Sequence, residues 1–373
     1  MQINRIIEAD FESKFTGNKA LVLIGPRQVG KTTLIKKLLK DKEFLFLNGD
    51  DPTVREILST ANTKELENLI GDKKYVFVDE AQRIENIGIT SKLITDQFKD
   101  VQLLLSGSSA FDLNNQINEP LTGRKWEFEL FPISWLELEN TVGYLETKQQ
   151  LSLRLIFGMY PEVITSIGQE KEVLKELVSS YLYKDILALS GIRKADVLEK
   201  LLRAIAFQVG SEVSYNELSQ LVGIDKNTVS SYIDVLCKAY VLFKLPSFSK
   251  NIRNEIKKNQ KIYFYDNGVR NAVMGNFNLL ETRADKGALW ENFLMAERLK
   301  TLRYSKSDAR MHFWRTVSQQ EIDYVEENAE IIKAFEFKFN PKAKVKIPKT
   351  FEEAYKAKVE IVNTENFREF LEF

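Results

Sequence analysis

One cysteine and one histidine in 373 residues remove several chemistries at once. Cys237 cannot form an internal disulfide or a cysteine-rich zinc site, which fits a reducing cytosol. His312 alone can build neither a histidine-rich metal site nor a relay that needs a second histidine. Beside Phe313 and Trp314 it reads as a packed strand residue. Apolar runs of the roughly 20 residues needed to span a bilayer are missing too, and the N-terminal stretch MQINRIIEADFESKF carries charges throughout. The expectation is a cytoplasmic chain with no membrane partner. Charge of one sign is also lacking, since 53 Lys+Arg face 53 Asp+Glu, so only local patches can argue for nucleic acid.

What the chain does have is length and an ordinary apolar content. At 373 residues, 44% of them hydrophobic, it exceeds what one core supports, and two or three domains are expected. From Lys19 to about Trp135 the short runs ALVLIG, FLFLNGD, YVFVDEA, VQLLLSGSS and KWEFELF alternate with helix-like stretches. Runs of four to six β-rich residues suit strands buried on both faces, hence a mainly parallel α/β domain. Beyond Glu139–Gln150 the spacing turns helical over Leu151–Phe157, Val173–Leu189 and Ala195–Val209. Residues 212–243 then read as helix, turn, helix: Tyr215–Val222, a turn at Gly223, and Lys226–Tyr240 with Asp225 as N-cap. Phe243–Ile252 suits a short β wing. From Lys261 the strands KIYFYD, RMHFWRT, EIDYVEE and KAFEFKF return, with a helix over Leu289–Leu302. The expected partition is 1–138, 139–195, 196–258 and 259–373.

Gly25-Pro26-Arg27-Gln28-Val29-Gly30-Lys31-Thr32 matches G-x-x-x-x-G-K-[ST] between a strand and a helix that opens near Thr33, the context the mechanism demands. Backbone N–H groups and the helix N-terminus would cradle the phosphates of ATP, Lys31 would reach the β and γ phosphates, and Thr32 would ligate Mg2+. Strand Tyr75–Val78 ends in Asp79, a candidate magnesium partner through water, and Glu80, a candidate for orienting or deprotonating the attacking water. Acids at strand ends are also common capping groups. Strand Leu103–Leu105 ends in the hydroxyls of Ser106, Ser108 and Ser109, which could contact the γ-phosphate or the water, with Ser106 the better candidate.

GPRQVGKTT, FVDEAQ and LLLSGSSA, in this order and spacing, resemble the AAA-type ATPases of bacteria and archaea that carry a DUF4143 C-terminal domain. Leu121-Thr-Gly-Arg124 with ELFPISWLEL, Gly158-Met-Tyr-Pro-Glu162 and Tyr181-Leu-Tyr-Lys-Asp185-Ile extend the resemblance over nearly the whole chain. Gly158-Met159 departs from the double glycine usual there. The resemblance implies an ASCE/AAA-type P-loop domain with a helical lid, a winged helix and a small restriction-endonuclease-like α/β domain. It also implies that Arg124 acts as a finger on the γ-phosphate, in its own subunit or in a neighbour's of a homo-oligomer. A salt-bridged surface arginine is the plain alternative.

Between Arg193 and Lys261 twelve Lys/Arg meet seven Asp/Glu. A basic winged helix suggests DNA, with Lys226, Asn227, Thr228 and Ser230 opening the recognition helix, although such modules also serve as packing elements. In the last unit Glu291, Asp323, Glu336 and Lys338 could converge, Glu336 and Lys338 sharing one strand face. By resemblance to the PD-(D/E)xK fold they would form a magnesium nuclease site, with Lys342, Lys344 and Lys346 on the DNA backbone. Ordinary cross-strand pairing accounts for the same pattern. The resulting expectation is a Mg-dependent ATPase acting on or bound to DNA; the alternatives are a nucleotide-dependent switch working through protein contacts, and an ATP-gated nuclease.

Overall fold

The computed structural model describes residues 1–17, 19–108, 117, 119–179, 195–248 and 260–372. Ser109, the 181–186 segment, the far end of the expected Val173–Leu189 helix and the tip of the expected wing lie outside them. The chain divides into two compact units, the first comprising Met1–Ile133 with Lys238–Tyr240 and the second the remainder.

The first unit is built on five parallel strands: β1 (Ala20–Ile24), β2 (Phe44–Asn48), β3 (Tyr75–Asp79), β4 (Gln102–Gly107) and β5 (Lys125–Glu129), in the order β2-β3-β4-β1-β5. Every residue of β1 and β4 is buried, which is why these segments read as continuous apolar runs rather than as alternations. The P-loop follows β1 and leads into α1 (Lys31–Leu38); α2 (Ile87–Gln97) precedes β4. Because β4 lies between β1 and β3, the hydroxyls at its C-terminal end sit between the P-loop and the acids that close β3. Ser106 is in register with Leu23, two residues before Gly25.

The second unit holds two sheets. In the first, α3 (Ala195–Phe207), β6 (Glu212–Val213), α4 (Tyr215–Val222), α5 (Lys226–Lys238), β7 (Leu242–Pro246) and β8 (Gln260–Phe264) follow one another, with antiparallel strand order β6-β8-β7. The strand KIYFYD, expected to open the C-terminal domain, belongs here instead. Its side chains fill the same core as β7, where Phe243 stacks on Tyr263 with centroids 5.5 Å apart. After α6 (Asn267–Met274) and α7 (Lys286–Tyr304) comes a four-stranded sheet of β9 (Arg310–Arg315), β10 (Glu321–Asn328), β11 (Ile331–Phe337) and β12 (Val359–Val362). Its order is β12-β11-β10-β9; α8 (Lys349–Tyr355) crosses from β11 to β12, which pair in parallel, and α9 (Phe367–Leu371) closes the chain. Trp314, Ile322, Val325 and Phe351 pack together on one face, while Tyr324, Phe335 and Phe337 gather around Phe370. The nineteen-residue α7 is buried nearly all round, charged groups included: Glu297 meets Lys300 at 2.6 Å and Arg298 meets Glu326 at 2.8 Å. No described helix is long and apolar enough to cross a membrane.

Candidate functional site

The strand-to-helix turn of residues 25–33 is a tight backbone cradle. Gly25 has φ +151°, and a Cβ there would lie 2.0 Å from the carbonyl oxygen of Leu130, so no side chain fits. Buried Arg5 donates to Val29 O at 2.8 Å and to Phe131 O at 2.5 Å, fixing the loop from beneath. The sequence reading missed this arginine, because nothing in its local pattern marks a side chain that meets the loop from far along the chain. Lys31 is 6% exposed, and its ammonium donates to Gly25 O at 2.9 Å and Pro26 O at 2.6 Å. Burial pulls its pKa down to about 8, although Glu80 and Asp79 oppose the shift. The amine is thus desolvated and poised for a strongly negative ligand.

Thr32 Oγ1 donates to Asp79 Oδ2 at 2.8 Å, and Ser106 Oγ donates to the other carboxylate oxygen, Oδ1. The hydroxyl and carboxylate expected to serve one magnesium ion are therefore neighbours across 47 residues of sequence. An oxygen pair of this kind fits a hard divalent cation that keeps most of its water. Ser106, expected to face the γ-phosphate or the water, is instead engaged with Asp79. Ser108, two residues on, lies 3.5 Å from Glu80 Oε2.

Glu80 itself sits at φ +49°, ψ +40°, a left-handed conformation unusual for a residue with a Cβ. Gln82 Nε2 donates to its Oε2 at 2.6 Å, and Arg27 Nη2 stands 4.0 Å from the same atom. Arg124 is elsewhere. Ala20 N donates to Arg124 O, and β5 runs beside β1 from that point toward the P-loop. Arg124 therefore marks the opposite end of the sheet, five strand residues or roughly 16 Å from Gly25. Its guanidinium, 40% exposed, is held by Asp96 at 2.7 Å. A finger acting within its own chain is ruled out by this placement; the surface ion pair that the sequence left open is what forms.

In the second unit the four expected residues do gather. Asp323 lies where the β10–β9 register shifts between Ile322 and Val325, a bulge that re-aims its side chain. Phe337 N donates to Asp323 Oδ2 at 2.8 Å, and Lys338 Nζ lies 2.9 Å from Glu336 Oε2 and 3.7 Å from Asp323 Oδ2. Burial, then the charge of Asp323, raises the Glu336 pKa to about 7. Glu291 adds its field to Lys338 but is itself claimed. Its Oε1 accepts from Lys261 at 3.0 Å and from Tyr263 Oη at 2.6 Å. Lys261, 1% exposed, also meets Glu321 at 2.7 Å. Burial disfavours its charge, but Glu291, Asp323 and Glu321 more than offset this and raise its pKa.

The arrangement is an ion-paired cluster around the buried Lys261 and the partly exposed Lys338. It does not fit the expected metal: no three described His, Cys, Asp or Glu residues are placed to hold one, and Glu291, a proposed ligand, is bonded to Lys261. Lys261 and Tyr263 escaped the sequence reading because nothing local in KIYFYD marks side chains that turn toward Glu291, 30 and 28 positions away. His312 is buried in β9, where desolvation, helped by Arg310, lowers its pKa to about 4. Cys237 is pushed up to about 12 by burial, which leaves an unreactive thiol.

At the start of α5, Asp225 Oδ1 caps the N–H groups of Asn227 and Thr228 at 2.9 and 3.0 Å, and Thr228 Oγ1 donates to Asp225 Oδ2. Lys226 and Asn227 are exposed and Ser230 partly so. Of the twelve cations counted between Arg193 and Lys261, Lys244 is bound to Asp234 and Lys261 is buried, which thins the basic face. Lys342, Lys344 and Lys346 are exposed.

Three family models match the chain: an AAA domain over residues 17–139, a domain of unknown function, DUF8612, over 148–280, and another, DUF4143, over 286–370. An uncharacterised protein of Methanocaldococcus jannaschii is 26% identical, spanning 94% of this chain and 82% of its own. One of Mycobacterium tuberculosis is 26% identical over 82% of this chain and 67% of its own. Among solved structures, the Walker-type ATPase of Pyrococcus abyssi aligns with a TM-score of 0.51 at 16% identity, covering 73% of this chain and 96% of that one, a likeness of fold. The chain thus carries an AAA domain with a P-loop ATPase fold and a C-terminal DUF4143 domain.

Proposed function

We propose that this chain binds ATP with Mg2+ in the 25–33 loop and hydrolyses it, and that the second unit couples turnover to DNA. The observation that supports this best is the bridge from Thr32 through Asp79 to Ser106, with Lys31 and Glu80 beside it at the C-terminal edge of one parallel sheet. Loop N–H groups receive the phosphates, and the ammonium of Lys31 exchanges its carbonyl partners for the β and γ oxygens. A magnesium ion held by Thr32 and, through water, by Asp79 would neutralise charge on the transferring phosphoryl group. Glu80 orients the attacking water and accepts its proton. Arg124, at the far end of the sheet, contributes only if a second copy of the chain presents it to this loop, as a homo-oligomer could.

The succession from α3 to β8 reads as a winged helix, with Lys226 and Asn227 exposed at the head of α5 as groups suited to phosphate contact. One observation favours the other reading, a nucleotide-dependent switch acting through protein contacts, namely that Lys244 and Lys261 are consumed internally. Steady-state phosphate release with and without duplex or single-stranded DNA decides between them. DNA stimulation that Lys31→Ala and Glu80→Gln abolish upholds the first. Turnover indifferent to DNA, together with no salt-sensitive gel shift at low ionic strength, overturns it in favour of the switch.

A further inference from the structure

Gln82 is 7% exposed, two residues beyond Glu80 in the short 3-10 turn Ala81–Arg83. Its amide nitrogen carries two hydrogens, and both have acceptors: Glu80 Oε2 at 2.6 Å and Ser108 Oγ at 3.0 Å. Ser108 is in turn 3.5 Å from Glu80 Oε2 and only 2% exposed. The three side chains close a ring that joins the acid after β3 to the hydroxyl after β4. The Glu80 backbone is pinned as well: Arg83 N donates to Glu80 O at 3.0 Å, and Gly49 N, after β2, donates to Asp79 O at 2.8 Å. A left-handed conformation is strained for a residue with a Cβ and persists only where its surroundings over-determine it. Here three strand ends supply that determination.

Building on the hydrolysis reading above, we propose that Gln82, with Ser108, is the positioning device for Glu80. The pair holds Oε2 as a fixed anchor and so presents Oε1 to the water. In the step this serves, the water oxygen bonds to the γ-phosphorus as the bond from that phosphorus to the β–γ bridging oxygen breaks, and the electron pair leaves on ADP. The water proton passes to Glu80 Oε1 and then to the released phosphate, so that Glu80 is regenerated. Gln82 touches neither substrate nor water. It acts by removing the rotational freedom of a carboxylate on a two-carbon stem, a loss that would otherwise be met at each turnover. The FVDEAQ segment carries this residue, but only the fold shows that its amide turns back onto Glu80 and not out to solvent.

The test is a double-mutant cycle in steady-state phosphate release, alongside equilibrium binding of a fluorescent ATP analogue with Mg2+. Gln82→Met keeps the volume and removes both donors. It is expected to lower kcat by roughly 10- to 100-fold, up to what a misplacement of about 1 Å can cost, with KM and analogue affinity changed by less than about threefold. Ser108→Ala follows in the same direction, less strongly. In a Glu80→Gln background Gln82→Met is expected to add almost nothing, because its effect runs through that carboxylate. A Gln82→Met enzyme with wild-type kcat overturns the proposal. So does a loss of kcat that persists in full in the Glu80→Gln background, or one accompanied by an equal loss of affinity or a collapsed melting transition. A wild type that binds the analogue but releases no phosphate overturns the hydrolysis reading itself, an outcome distinct from these.

Discussion

Lys31 is where pH should reach the nucleotide site most directly. Its pKa falls from 10.5 to about 8, chiefly through burial, and at 1.36 kcal/mol per unit that is about 3 kcal/mol of penalty on the charged form. The unfolded chain binds more protons than the folded one between pH 8 and 10.5, so this group adds stability to the nucleotide-free protein as pH rises through that window. ATP reverses the preference, since its phosphates favour the ammonium. Above pH 8 binding must therefore take up a proton, and affinity should fall about 25-fold between pH 7.5 and 9.5. Calorimetric titration with ATP and Mg2+ in two buffers of different ionisation enthalpy reads both the affinity and the proton uptake. Lys31→Met should bind far more weakly and show neither effect. A wild-type affinity flat across this range, with no proton taken up, would refute the argument that Lys31 is a desolvated ligand of the phosphates.

Three other expectations follow from named contacts. Gly158 has φ +74°, and a Cβ there would lie 2.0 Å from Asp266 Oδ1; Gly158→Ala should destabilise the second unit by about 2–4 kcal/mol in urea melts. Arg124→Ala mixed with Lys31→Ala should recover phosphate release that neither variant shows alone if the finger acts across a subunit boundary; no recovery at any ratio or concentration leaves Arg124 as the partner of Asp96. Glu336, raised to about 7, makes the folded state bind more protons than the unfolded one between about pH 4.5 and 7, so its contribution to stability declines as pH rises through that window. Melting temperatures from pH 5 to 8 should show this slope, and Glu336→Gln should remove it.

Much of the first unit was legible because its signals are local. A buried parallel strand is a short apolar run, and a P-loop is contiguous in sequence, so residues 25–33 and the ends of β3 and β4 could be read off directly. The helices over residues 151–157, 195–207, 215–222 and 226–238 were legible for the same reason, through their three- and four-residue spacing. The departure at Met159 matters little in structure: its N–H donates to Asp266 Oδ2 at 2.6 Å, while the positive φ falls on Gly158. What could not be read are partnerships between distant segments. β8 looked like the first strand of the last domain because strand pattern says nothing about which sheet a strand joins. α7 buries Glu297, Arg298 and Lys300, which by composition alone would face water.

By itself, then, the sequence determined the P-loop motif, the acids and hydroxyls that end its neighbouring strands, and the order of elements along the chain, since each depends on residues within a few positions of one another. Tertiary structure decided what those residues face. It turned Ser106 toward Asp79 and Gln82 toward Glu80, set Arg124 at the far end of the sheet, and closed the C-terminal acids with Lys261. The physical reason is that hydrogen bonds and ion pairs act over a few ångströms, and only the packing of elements brings residues 27, 30 or 126 positions apart within that reach.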